Sequence, residues 1–114
     1  MAIVKKYSGE DVATAANVAL KKRLYVSGWL LSSELKNARQ EPEQFDLCLA
    51  YDNDDVVGVS IQKKVSGFTQ VFVRKAKRRN GIGRLLVEPL KTEKAYGVKG
   101  IRTTIWSENG FDVG

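Results

Sequence analysis

The chain has 114 residues, enough for one domain with one core. Apolar residues make up 43% and charged residues 28%, a globular balance that excludes a disordered or fibrous chain. The net charge of +6 points to an anionic partner, while one cysteine and no histidine exclude a histidine-based triad and argue against a zinc site.

No apolar run approaches the ~20 residues of a membrane span. The opening "MAIVKKYSGEDV" has no apolar signal core. The expectation is a cytoplasmic protein with no membrane partner. Cys48, inside the apolar "FDLCLAY", fits a small core residue in a reducing compartment.

Ala2–Tyr7 predicts a first strand. Ser8 is placed as a helix N-cap, with Glu10 and Asp11 favourable in the first turn. Val12, Ala16, Ala19 and Leu20 fall at helical spacing, so a helix is expected from Glu10 to about Leu24. A second helix is expected over Leu30–Arg39, closed by the loop at Pro42. Three strands follow: Gln44–Asp52, Val56–Val65 and Phe68–Lys75. The turns between them are Asp52–Asp55 and Ser66–Gly67, giving an antiparallel meander. "DNDD" lacks the further ligands of a calcium loop and is a solvated turn. Ile82, Leu85, Leu86, Pro89 and Leu90 predict a packed helix kinked at Pro89, with Gly97 and Gly100 as stop signals. Gly100–Trp106 is the final strand, parallel to the third strand of the meander.

The stretch that carries chemistry is "VFVRKAKRRNGIGRLL", Val71 to Leu86, with five positive charges between Arg74 and Arg79. A strand, a basic loop and a Gly-x-Gly turn lead into a helix. A helix start offers unpaired N–H groups and partial positive charge. Gly81 and Gly83 let a ligand approach the backbone, and Arg78, Arg79 and Arg84 add charge. This geometry suits a compact phosphate or pyrophosphate better than an extended strand of nucleic acid. A dinucleotide fingerprint fails because Leu86 stands where the third glycine belongs, and no P-loop is present. The rival from another class is a non-catalytic basic module that uses Arg74–Arg84 to bind nucleic acid or inhibit a partner.

Val73, then Arg78-Arg79-Asn80-Gly81-Ile82-Gly83, then Leu85 and Leu86, resembles the acetyl-CoA signature of the GNAT superfamily of N-acyltransferases. The order of elements over about Ile3 to Trp106 resembles the family too. The resemblance implies an α/β (α+β) fold: a mixed, mostly antiparallel sheet flanked by helices, with a C-terminal β-α-β unit, in a single domain over 1–114. It implies acetyl-CoA as co-substrate, no metal, and direct attack by a primary amine. The acceptor is a small molecule or a macromolecule such as a protein lysine or an aminoacyl-tRNA. Backbone at Val71, Phe72 and Val73 would pair with the pantetheine arm. The N–H groups of Arg79, Asn80, Gly81, Ile82, Gly83 and Arg84 would hold the pyrophosphate, with Arg78 beside it.

The sequence departs from the family pattern at two places. Many members carry a basic carboxylate early in the strand before the loop, and Ser66–Gln70 contains none. Glu108 and, behind it, Asp46 are the substitutes considered. Many members place an acidic tyrosine on a later helix, which has no counterpart before "NGFDVG". Tyr25 could reach a site, and Tyr96 fits a core position. Trp29 and Trp106 are assigned to core before acceptor pocket. A last strand with an open edge predicts a homodimer covering that end.

Overall fold

Apolar residues at two periods, 3.6 and 2, divide the chain into helices and strands. The computed structural model describes residues 2–25, 30–77, 81–90, 103–107 and 110–112. Its elements in order are β1 (Ala2–Tyr7), α1 (Asp11–Lys21), α2 (Leu30–Gln40), β2 (Phe45–Asp52), β3 (Asp55–Lys63), β4 (Thr69–Val73), α3 (Ile82–Val87), β5 (Thr103–Ser107) and β6 (Gly110–Asp112). The strands form one sheet in sequence order. β1 to β4 make the antiparallel meander, β5 pairs parallel with β4, and β6 returns antiparallel on β5. This is the mixed α/β architecture expected from the sequence.

Local chemistry explains where the boundaries differ from expectation. Ser8 is not the cap of α1: Glu10 precedes the helix without a side-chain cap bond, and Ser8 Oγ donates to Asp46 Oδ1 at 3.2 Å. The helix stops at Lys21, short of Leu24, because Arg23 adopts φ 54°. That left-handed residue lets the Leu24 N–H reach the Ala19 carbonyl at 2.9 Å, closing the helix end while Leu24 turns into the core. Asn53 (φ 58°) makes the β2–β3 turn and Gly67 (φ 73°) the turn into β4, both inside the expected loops. β3 ends at Lys63, because the Gly67 N–H takes the Lys63 carbonyl at 2.8 Å.

β4 ends at Val73 and not at Lys75. The Arg74 N–H leaves the strand direction to bond Val57 O at 2.9 Å, and Lys75–Lys77 form a 3-10 turn. At the far end, Pro89 closes α3 instead of kinking it. A 3-10 turn over Glu88–Leu90 replaces the helix, and the hydroxyl of Ser60 on β3 donates to the Leu86 carbonyl at 2.7 Å. Leu85, expected to pack, is 45% exposed, whereas Ile82, Leu86 and Leu90 are buried. Gly97 and Gly100 lie outside the described residues. The last expected strand is not the edge of the sheet: β6 pairs with β5 from Ile105↔Asp112 to Ser107↔Gly110.

Each face of the sheet has its own core. α1 and α2 cover one face, over Leu47, Leu49, Ile61 and Phe72 among others. α3 covers the other, over Cys48, Ala50, Val57, Val71 and Val73. A bulge opposite Ala50 shifts the register of β2 against β3, so that Ala50 pairs with Gly58 and Tyr51 with Val56. The extra residue turns Val57 to the α3 side, beside Gly58. A Cβ on Gly58 would stand 3.0 Å from Leu86 Cδ1 and 3.1 Å from the Phe72 carbonyl. Glycine at this position is what lets α3 lie against the strands.

Candidate functional site

The site is built where β4 runs out. The parallel ladder between β4 and β5 pairs Thr69↔Thr103 through Phe72↔Trp106, and goes no further. Val73 is still paired with Gly58 on its other side. The two strands therefore part at the position predicted to contact the thioester. Val71 and Val73 pack toward α3, and Ile82 at the start of α3 joins the same cluster. This brings two of the sequence-predicted groups together: the end of β4 and the glycine turn.

Gly81 has φ +76° and sets the entry to α3. Only glycine takes that backbone without strain. A Cβ built on Gly81 or on Gly83 meets nothing within 4 Å among the described residues. Ile82 is buried and fixes the turn by packing, so its side chain is structural and only its backbone faces the turn. Arg84 is exposed. Arg78, Arg79 and Asn80 lie outside the described residues. Phe72 turns its side chain into the α1/α2 core and contributes only main chain here.

Of the basic run, Arg74, Lys75 and Lys77 lie among the described residues, and two of them are turned onto the protein itself. Arg74 Nη2 donates to the Lys22 carbonyl at 2.6 Å, tying the end of β4 to the end of α1. Lys77 Nζ sits 2.7 Å from Asp52 Oδ2, on the β2–β3 turn. The hydrogen bond to Lys77, then its charge, lowers the Asp52 pKa, and Asp52 in turn raises that of Lys77. Lys22 also approaches Asp55 at 3.9 Å. Asp55, Val57, Arg74, Lys75, Ala76 and Lys77 together line an open depression beside the bulge. Two of the expected anion-binding charges thus hold the loop in place.

Of the candidate acid and bases, Tyr25 and Asp46 lie among the described residues, and the structure does not bring them together. Tyr25 packs at the rim of the α1/α2 core, away from the α3-side cluster that holds Val73 and Ile82. Asp46 accepts from Ser8 and pairs across to Gln62 at the start of β2. Glu108, Trp29 and Tyr96 fall outside the described residues. Cys48 is buried under α3, and burial pushes its thiol up to about 11, which makes it an unreactive core residue.

One group escaped the sequence reading. Glu34 on α2 has a buried Oε2 with no hydrogen-bond partner among the described residues. It lines a cavity of about 20 Å³ with Phe45, Ile61, Lys63, Phe68 and Gln70. The signal was available: Leu31, Leu35 and Ala38 are the buried stripe of α2, and position 34 falls on it. A carboxylate there breaks the apolar pattern.

Comparison with known proteins agrees with this geometry. The profile for the acetyltransferase (GNAT) domain matches residues 3–110. No curated protein matches the sequence. Among solved structures, the aminoglycoside N-acetyltransferase AAC(6')-Iy in complex with CoA superposes with a TM-score of 0.54 at 17% identity, covering 94% of this chain and 76% of that one. A second structure of AAC(6')-Iy, with a bisubstrate analogue, gives 0.53 at 13% identity, covering 94% and 78%. An acetyltransferase described as putative, from Exiguobacterium sp. 255-15, gives 0.52 at 17% identity, covering 95% and 77%. The parting of β4 from β5, the glycine turn into α3 and the family match over nearly the whole chain lead to one assignment: this protein belongs to the GNAT acetyltransferase family.

Proposed function

We propose that the protein transfers an acetyl group from acetyl-CoA to a primary amine. The observation that carries the reading is the open turn after β4. The ladder to β5 ends at Phe72, and the glycines at 81 and 83 leave room over the backbone. The free main-chain edge at Val73 suits an extended pantetheine arm pairing as a strand would. The amides from Arg79 to Arg84 suit the diphosphate, with Arg78 and Arg84 as nearby cations. Acetyl-CoA supplies the thioester, and the chain's own task is to hold it in line with the amine. The N–H at Val73 would polarise the thioester carbonyl as charge develops on its oxygen. The acceptor is a small-molecule or macromolecular amine, a protein lysine or an aminoacyl-tRNA among them. A cytoplasmic location and a homodimer remain parts of the proposal. With β5 covered by β6, the free edges available to a second copy are those of β1 and β6.

The nucleic-acid reading loses ground to one hydrogen bond and one ion pair within the protein. A duplex-binding patch needs its cations free to meet phosphates. Arg74 and Lys77 are instead turned back onto Lys22 and Asp52.

The test is a thermal melt with acetyl-CoA and with desulfo-CoA. A ligand at 100 times its Kd adds about 2.7 kcal/mol, roughly 10 °C in a domain of this size. Both compounds should raise Tm, since both carry the diphosphate. No response to either, together with a steeply salt-dependent response to duplex DNA or RNA, would favour the binding module.

A further inference from the structure

We infer that Arg74 is a positioning residue for acetyl-CoA: it clamps the chain that leaves β4 to β3 and to the end of α1, and so holds the main-chain edge at Val73 apart from β5. The role rests on the acetyl-transfer reading above. Three bonds of this one residue carry it. Its N–H takes the Val57 carbonyl of β3 at 2.9 Å, and its guanidinium Nη2 donates to the Lys22 carbonyl at 2.6 Å. Its own carbonyl accepts from the Lys77 N–H at 2.9 Å.

The register shows what the clamp prevents. Thr69↔Thr103 through Phe72↔Trp106 run in step, so Val73 would next face Ser107. Ser107 is still strand, paired with Gly110 of β6 on its other side. A partner for Val73 is thus in place, and the ladder stops one residue short of it. On the opposite edge β4 keeps to β3 through Gly58↔Val73 and the bond from Arg74 to Val57. The chain follows β3 past the point where it leaves β5. A ladder closed at Val73 would tie up on Ser107 the backbone groups that an extended pantetheine arm needs.

The clamp is anchored on rigid ground. The Leu24 N–H reaches the Ala19 carbonyl at 2.9 Å, the Arg23 N–H reaches the Leu20 carbonyl at 3.1 Å, and Leu24 is buried. Lys22 lies inside this closed helix end, where the helix dipole also favours a guanidinium. The Lys22 amine is itself 3.9 Å from Asp55 at the start of β3. Beyond Arg74 the chain is tied again where Lys77 meets Asp52 at 2.7 Å. Both ties lie toward the β2–β3 turn, so both draw the chain away from β5.

Arg74 does not sit as a charge on the diphosphate. Val71 and Val73 pack toward α3, while Phe72 packs toward α1 and α2. Arg74 shares the side of Phe72, where the Lys22 carbonyl receives it. The glycine turn enters α3 on the other side, with Ile82 beside Val71 and Val73. The influence of Arg74 on the cofactor therefore runs through the backbone of Val73, its neighbour in the chain.

The experiment is isothermal titration with two ligands: acetyl-CoA, and 3'-phospho-ADP, which has the diphosphate without the pantetheine arm. The parent is compared with Arg74→Met, Arg74→Gln and Lys75→Met. The two Arg74 variants lose the guanidinium to an apolar and to a polar side chain, so a folding defect peculiar to one leaves the other to decide. Lys75→Met removes the neighbouring charge and keeps the clamp. Loss of a hydrogen bond from a charged group, discounted for its exposure, should weaken acetyl-CoA about tenfold in both Arg74 variants. Binding of 3'-phospho-ADP should stay within about twofold of the parent's, which also shows that the fold is intact. Lys75→Met should shift both ligands alike. Equal weakening of both ligands in the Arg74 variants overturns the inference, because it marks a charge acting on the phosphates. Unchanged acetyl-CoA affinity overturns it too, as does the same split between ligands in Lys75→Met. Failure of both Arg74 variants to fold would make Arg74 a structural residue and would also overturn it. If the parent binds neither ligand, the acetyl-transfer reading has failed and the inference falls with it.

Discussion

The two faces of the sheet are built on different terms. The α1/α2 face is broad and almost wholly aliphatic, with Val12, Leu31, Leu35, Leu49 and Phe72 sealed from water. Glu34 and the buried Gln70 interrupt its packing. The α3 face is smaller and irregular: it has a bulge at Val57, a glycine at 58, a buried serine at 60 and a short helix. The first face supplies stability through area. The second buries less, under one short helix. The difference teaches that a short helix can lie close against a sheet where the strand beneath it gives up a side chain, as at Gly58.

Substitutions can separate the two faces. The largest effect should come from Phe72→Ala, which empties a fully buried ring site on the α1/α2 face and should cost about 3–5 kcal/mol in urea unfolding. On the α3 face, Gly58→Ala should cost about 1–3 kcal/mol, because the Phe72 carbonyl 3.1 Å away is backbone and cannot give way freely. It should also weaken acetyl-CoA binding beyond its effect on stability, since α3 must move out. Equal acetyl-CoA affinity in Gly58→Ala would separate helix packing from the cradle. Ser60→Ala removes the donor to the buried Leu86 carbonyl and should cost about 1–3 kcal/mol by the same measurement.

A smaller effect belongs to the hydrogen-bonded tyrosines. Tyr7 and Tyr51 hydroxyls lie 2.7 Å apart, and burial, then the bond to Tyr51, pushes the Tyr7 phenol up to about 12. A raised folded value means this contribution is whole below pH 10.0, the ordinary value, and fades as pH rises toward 12. Tyr7→Phe should cost about 1 kcal/mol at neutral pH and flatten the loss of stability in that alkaline window. The smallest effect is expected at Asp52, whose lowered pKa makes its contribution present above the ordinary carboxylate value and lost as pH falls through the folded one. Asp52→Asn should remove a slight acid-side slope in Tm and reduce its salt dependence, because the pair with Lys77 is screened by solvent.

The sequence made the periodic elements legible. The 2-period of "FDLCLAY" and the 3.6-period of Ile82, Leu86 and Leu90 correspond to β2 and α3. The meander and its turns followed from Asn53 and Gly67. What stayed hidden was set by contacts between distant residues. Ser8 looked like a cap, yet its hydroxyl serves Asp46, 38 residues away. Arg74 and Lys77 looked like free charges, yet their partners Lys22 and Asp52 come from other elements. β6 is three residues long and carries no alternation strong enough to mark it. Glu34 was visible as a misfit on the stripe of α2, but the small cavity it lines with Gln70 depends on packing between distant elements.

The claim beneath the account is that the backbone at residues 81–84 holds the diphosphate of acetyl-CoA. Gly83→Leu tests it most directly, because position 83 is helical and a Cβ there meets nothing within 4 Å among the described residues. The account predicts a variant at least as stable as the parent, since replacing a helical glycine gains up to about 1 kcal/mol. Its melt should no longer respond to acetyl-CoA. A Gly83→Leu protein whose Tm rises with acetyl-CoA as steeply as the parent's would contradict the claim.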